Sequence, residues 1–338
     1  MNLTSLDNLP RLLLEAKLRP VAGQRFQPTG FADLGAADYQ LPDGTNMLLV
    51  ESAQSVANRL EKTCLDGDGP GLDRSIEGLS YVVAELEGAG FEKSTSSLVE
   101  AHRIASPYVL LNKEFQAKLV KEMEYNPKLP LEWKKIYATL FKYDVNSLVH
   151  GVFLSLLEGG RVRAPRAITG FIEASNVKRV VSGGVKNSPV DPTGKTQVAD
   201  APAGESGVYS NVPYSRVEYV AEQITAYFNL DLSLIRGYGL GADATRLLIA
   251  LSLLKVRRFL DSSLRLRTAC DFELSGEVCA KAPASFILPS EPELLSEVQA
   301  AIRNCSALFA APPVTVLKTK VKVVEKKDKE KAAGAGPQ

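Results

Sequence analysis

The sequence predicts an α+β protein: a split βαβ, ferredoxin-like sheet interrupted by a large helical insertion and carrying a protruding loop. Three observations predict it. Strand–helix–strand patterns recur near residues 11–86 and 215–274, helical periodicity dominates residues 91–160 between them, and residues 182–213 are crowded with Gly, Pro, Ser and Asp. The expected division is a first half-sheet over 1–90, the insertion over 91–160, a second half over 161–313 and a Lys-rich disordered tail over 314–338.

A first strand is expected in RLLLEAKLRPVAG, near residues 11–23, followed by a loop rich in Gly, Pro and Asp over 23–46. LLV then leads into ESAQSVANRLEKTCL, where Ala53, Val56, Ala57, Leu60 and Cys64 recur at helical spacing. Ser52, Ser55, Asn58, Arg59 and Lys62 fall off that stripe, so the helix should show a polar face. LSYVVAEL (79–86) reads as a strand ended by Gly88 and Gly90. In the insertion, one helix opens at Asn112, a good N-cap, and stops before Pro127, and a second begins near Pro130. Residues 161–181 return to strand and loop, and 182–213 form a long mobile loop of the kind that tends to carry function. Residues 215–235 read as strand, 237–241 as a glycine turn, 242–260 as helix, 264–274 as strand, and a late helix is capped by Ser290.

The 338 residues are 45% hydrophobic and 23% charged, an ordinary globular composition. The longest apolar run, 247–254, is broken by Ser252 and is far shorter than the roughly 20 residues of a membrane span. No membrane partner is expected. The N-terminus lacks a basic n-region and a small-residue cleavage site, which points to a cytoplasmic address. Four dispersed cysteines and two histidines, His102 and His150, argue against a structural metal site and against histidine-driven chemistry. His150, on the apolar segment SLVHGVF, fits a core histidine.

Net charge is +1, but its distribution is uneven. Seven lysines against three acids crowd residues 318–331. Residues 161–186 hold Arg161, Arg163, Arg166, Lys178, Arg179 and Lys186 against Glu173 alone, and residues 255–267 hold five basic residues against Asp261. Such patches suit a groove along a phosphate backbone, and a solvated helix face would give the same count.

Local motifs add to this. GYGLGA (237–242) satisfies G-x-G-x-x-A, but only one strand–helix–strand unit surrounds it and the acid about twenty residues on, Asp261, ends a helix. What survives is a turn, Gly237, Tyr238, Gly239 and Gly241, whose amides and following helix N-terminus could meet a phosphate or serve only as a tight turn. DPTGKT (191–196) fails as a phosphate loop because Pro189 stands where glycine is needed. Ser52, Gln54, Ser55, Asn58 and Arg59 offer uncharged donors and one guanidinium, the set that contacts sugar and phosphate. Tyr209, Asn211, Tyr214 and Arg216 end the mobile loop, where aromatics could stack on bases. Asp33 and Asp38 flank Gly35 and read as turn residues.

RFQPTGFADLGAADY, LLVESAQSVANRLE, EGGRVRAPRAITGFIEA, SNVPYSRVEYVAEQITAYFN, IRGYGLGADATRLLIALSLLKVRRFL and LRTACDFEL together resemble the RAMP-superfamily backbone subunit of CRISPR Cascade complexes, in the variant called type I-U and later I-G. The resemblance spans about residues 10–310. It implies a non-enzymatic subunit with an RNA-recognition-like palm and a thumb, mapped to 176–213. Copies would pack head to tail on CRISPR RNA, beside a large subunit and a subunit that binds or processes the guide end. Target DNA is then met through the guide, and no cofactor is implied. In relatives an S-S-Q-like segment and basic helix lie on the guide backbone. Ser52, Ala53 and Gln54 match that pattern, while Asn58 and Arg59 stand where relatives often carry Lys and Arg. The resembling segments also bring Arg25, Gln27 and Arg246 into the expected RNA surface. The alternative is a RAMP endoribonuclease acting through Asp33 or a histidine.

Overall fold

Strict alternation builds the main sheet. The computed structural model describes residues 3–322 apart from 32, 68, 89–92, 192 and 194–210. In chain order the principal elements are β1 (Arg11–Pro20), β2 (Asn46–Glu51), α1 (Ala53–Lys62), β3 (Tyr81–Glu87), α2 (Lys113–Glu122) and α3 (Trp133–Tyr143). There follow β4 (Ile168–Ser175), β5 (Lys178–Lys186), β6 (Val212–Val220), β7 (Gln223–Asp231), α4 (Ala242–Asp261), β8 (Cys270–Leu274), α5 (Glu291–Asn304) and β9 (Val314–Lys320). Leu12, Leu14, Ala16 and Leu18 of β1 are buried, as are Ile224, Ala226, Phe228 and Leu230 of β7. Their neighbours at odd positions of β1, including Lys17 and Arg19, stand outside. The strand order is β8–β1–β7–β4–β2, every neighbouring pair antiparallel, with Asp38–Gln40 beyond β2 and Arg265–Arg267 beyond β8.

Helices cover the apolar face. Val56, Ala57 and Leu60 of α1 and a nearly continuous buried set along α4 supply the opposing layer. Each fully buried Leu or Val contributes about 1.5–3 kcal/mol. Gly170 on β4 is required by this packing, because a Cβ there would meet the Phe228 ring at 2.7 Å. Local signals hold as the sequence suggests: Ser52 caps α1 by accepting from the Ser55 amide at 3.2 Å, Asn112 caps α2, and Ser290 with Glu293 forms a capping box on α5.

Three expectations are corrected. The strand at 81–87 does not belong to the main sheet. It pairs in parallel with β9 and antiparallel with Lys93–Ser96, while β4 supplies the main-sheet strand that follows α1, after the helical insertion. Periodicity identifies a strand but not its partner. Residues 314–320 are therefore strand and not tail, since Val314, Val316 and Leu317 supply β-forming residues that the lysine count obscured; 323–338 lie outside the described residues. The segment expected to be mobile from 182 is partly a hairpin, β5 pairing with β6 from Lys178↔Val220 to Lys186↔Val212. It continues the β4–β7 ribbon beyond a break at Asn176, whose φ is +50°. No helix among the described residues is long and apolar enough to cross a membrane.

Candidate nucleic-acid interface

The chain turns from β2 into α1 at Ser52, and the first turn of α1 borders a hollow of about 570 Å³. Gln54, His102, His150, Phe153, Arg163 and Arg166 line it, and no carboxylate does. Gly151 shapes one wall. Its φ is +77°, and a Cβ would meet the Ala164 carbonyl and the Arg166 amide at 3.0 Å. That close approach lets Val152–Phe153 pair with Arg163–Ala164. Arg166 donates to the Ala53 carbonyl at 3.3 Å and to Gln54 Oε1, and Gln54 Nε2 donates to Asn58 Oδ1 at 3.1 Å. Arg163 lies over the Phe153 ring, 4.6 Å from its centroid.

A buried polar layer backs this hollow. Arg103 donates to both oxygens of Glu61 and, at 2.9 Å, to the Gly151 carbonyl. Nε2 of His150 lies 2.8 Å from Lys255 Nζ, which also donates to Asn146. Burial, reinforced by the charges of Lys255, Arg103 and Arg166, holds His150 well below the ordinary histidine range. The His150 ring is therefore neutral at pH 7, and its Nδ1 has no hydrogen-bond partner among the described residues.

A second hollow without carboxylates, about 540 Å³, opens at the hairpin base between Gln27, Thr29, Arg179, Tyr219 and Arg267. Residues 50–54 run between the two: the Val50 carbonyl accepts from Thr29 N at 3.1 Å and from Arg267, and Gln54 reaches the first hollow. Lys178 and Arg179 share a neighbouring hollow with Asp38. A further hollow, about 790 Å³, holds Arg25 and Arg216 but also Glu218, Asp261, Asp271 and Glu273. Glu218 engages Arg216 at 2.8 Å and Arg25 at 3.5 Å; the Ser182 hydroxyl and these arginines lower its pKa. That face is electrically mixed, with less to attract a polyanion.

Several expected contacts lie elsewhere. Arg59 is committed internally: Nε donates to Glu51 at 3.0 Å, and the other nitrogens reach the carbonyls of Arg265 and Leu266. Glu51 is fully buried and also takes Arg267 and Ser55, so α1's guanidinium neutralises it instead of facing solvent. Tyr238 is 1% exposed, its hydroxyl donating to the Leu148 carbonyl at 3.0 Å and its ring 4.5 Å from Tyr137. It is a core residue. Arg246 is paired with Glu297, and Arg161 donates to the carbonyls of Pro127 and Leu129 at 2.7 and 2.9 Å, securing the insertion. Gly241, at φ +91°, begins α4 beside Asp7 and Arg236 in a separate hollow that shares no lining residue with the two basic ones. Gly237 instead ends a short helix, Leu232–Gly237, and Gly239, at φ +68°, lies in the turn between that helix and α4. Asn211 accepts from the Ser188 amide at 2.8 Å, and Tyr214 is exposed on the hairpin. Tyr209 lies outside the described residues.

Residues not foreseen for this surface include Arg267, which carried its signal in the basic run 255–267, His102 and His150, weighed only for histidine chemistry or the core, and Phe153, which carried no signal. A search of the curated proteins finds no match. Among solved structures, a "CRISPR RNA-guided surveillance complex, pre-nicking" chain is 14% identical, covering 96% of this chain and 100% of its own, with TM-score 0.41. A "CRISPR RNA-guided surveillance complex" chain, also 14% identical, covers 80% and 68% with TM-score 0.34. Csc2 of Thermofilum pendens is 10% identical, covers 88% and 76%, and has TM-score 0.31. Residues 12–179, which include β1 from Leu12 onward, β2, α1, the helical insertion and the whole lining of the first hollow, match the model of a family described as CRISPR-associated protein GSU0053.

Proposed function

We propose that this chain is a non-catalytic CRISPR-RNA-binding backbone subunit of a Cascade-type surveillance complex, in the type I-U or I-G variant. The family match over residues 12–179 supports a CRISPR role. The order β8–β1–β7–β4, with α1 and α4 on one face, supports a ferredoxin-like RAMP palm, and the β5–β6 hairpin supports a thumb. The observation that carries the reading is the hollow where Arg163, Arg166, His102 and Gln54 gather without a carboxylate beside the polar first turn of α1. Guanidinium, amide and hydroxyl donors grip phosphate and sugar without reading sequence, so any spacer is accepted and pairing with the guide reads the target. Copies would stack head to tail through a heterologous interface. The test is extraction of nucleic acid from the purified protein. RNAs of repeat–spacer length support the reading; a protein free of RNA that binds none when offered a CRISPR transcript rejects it.

One observation favours a second reading, ribonuclease action: both histidines border the same hollow. Incubation with labelled CRISPR transcript separates the two. Fragments that vanish in His102→Ala favour the enzyme, whereas intact RNA favours the cradle.

A further inference from the structure

We infer that the hollow beside α1 is a single-nucleotide subsite in which one unpaired base stacks on the Phe153–Arg163 platform while its phosphate is held by Arg166 and His102. The assignment rests on the RNA-binding reading above and names what that site takes.

Phe153 is 42% exposed, on a two-residue strand at the rim of a hollow that it shares with apolar Ala101, Val152 and Pro165 and with cationic Arg163 and Arg166. Its exposed ring, beside a guanidinium, presents an accessible π face at the mouth of the hollow. It is well explained as a stacking surface. The Arg163 guanidinium already covers part of the ring, and while the Arg163 main chain pairs with Phe153, its side chain makes no hydrogen bond or ion pair among the described residues. Its donors are free for a phosphate or a base edge. Guanidinium planes and aromatic rings are both surfaces on which unpaired bases stack.

The platform is held rigidly. Leu154 N donates to the Val162 carbonyl at 2.9 Å, the two short strands pair, and Arg103 fixes the Gly151 carbonyl from beneath. A ligand therefore meets a surface ordered in advance, which lowers the entropy lost on binding. The volume of about 570 Å³ lies inside the roughly 300–1,000 Å³ of small-ligand clefts. Arg166 and the exposed His102 place positive or donor groups within the same walls, and the unpartnered Nδ1 of buried His150 adds a polar atom at the back. Carboxylates, which would repel a phosphate, are absent from the lining. The chemistry is that of a nucleoside monophosphate unit within a single strand.

The test uses the full-length protein and a spacer-length single-stranded RNA carrying 2-aminopurine, read by affinity, salt dependence and fluorescence. Phe153→Leu keeps an apolar side chain but removes the ring, and should weaken binding roughly five- to a hundredfold with the salt slope unchanged and the stacking quench of 2-aminopurine reduced. Phe153→Tyr should retain wild-type affinity. Arg166→Ala should instead lower the salt slope by about one. Wild-type affinity and quench in Phe153→Leu overturn the subsite while the RNA-binding reading stands, and so does an equal loss in Phe153→Tyr. Failure of the wild-type protein to bind the RNA overturns both.

Discussion

Arg103 grips Glu61 through two hydrogen bonds of 2.6 and 2.9 Å inside the core, where both side chains are nearly fully buried. The pair joins the helical insertion to α1, since Glu61 lies on α1 and Arg103 opens the insertion's first turns. Arg103 sits at φ +55°, a left-handed conformation that a non-glycine residue keeps only when its surroundings demand it. Replacing Arg103 by Met strands the Glu61 carboxylate in a low-dielectric setting. Such a change should cost about 3–5 kcal/mol. Urea unfolding of Arg103→Met against wild type measures it, and a double variant with Glu61→Met should recover much of the loss.

Arg59 and Arg163 should separate stability from binding. Arg59 neutralises buried Glu51 and bonds two main-chain carbonyls, so Arg59→Ala is expected to cost about 2 kcal/mol of stability. Its RNA affinity at a temperature where it stays folded should match wild type. Arg163→Ala should do the reverse, weakening RNA binding and its salt dependence while leaving the urea midpoint near that of wild type. Thermal melts paired with salt titrations of RNA binding decide between these outcomes.

The difference between those two arginines explains what the sequence could and could not reveal. The apolar stripe of α1 and its Ser52 cap are local and were readable. Arg59 lies off that stripe, so periodicity alone assigns it to solvent. What claims it is Glu51, at the end of the preceding strand, and carbonyls more than two hundred positions away. Tyr238 likewise reads as an exposed turn residue between glycines, yet its ring packs against Tyr137 from the insertion. Arg163 and Arg166 were legible from charge density, because a run of unopposed basic residues is a local fact. Their company, His102, His150 and Gln54, is tertiary, assembled only when β4 joins the sheet beside β2.

Asp144 and His150 make opposite contributions to the pH dependence of stability. Burial raises Asp144 to about 6, partly offset by the Ser147 hydroxyl it accepts from. The native state therefore takes up this proton before the unfolded chain does, and the Asp144 contribution grows as pH falls from about 7 to about 4. At pH 7 its ionised form costs about 3 kcal/mol. His150 is depressed, so the unfolded chain gains a proton first, and its stabilising contribution is lost below about pH 6.5. Asp144→Asn should be more stable than wild type at pH 7, and that advantage should shrink towards pH 4. Urea midpoints of both proteins across this range measure the difference, and a constant gap would reject the burial of an ionised Asp144.

The strand at the C-terminal end supplies a test by truncation. β9 completes a three-stranded sheet over β3, with Leu317 buried, Asn112 donating to the Lys318 carbonyl at 3.0 Å and Thr319 donating to the Tyr108 carbonyl at 2.8 Å. Removing it exposes the edge of β3 and uncovers the start of the insertion, where Pro107–Leu110 packs. A chain ending at Pro313 should lose at least about 2 kcal/mol, the burial of Leu317 alone, and should aggregate more readily through its open edge. A chain ending at Lys322 keeps every one of these contacts and should unfold at the wild-type urea midpoint. Equal midpoints for both truncations would mean that β9 contributes nothing to the fold, and the parallel pairing with β3 would then have to be abandoned.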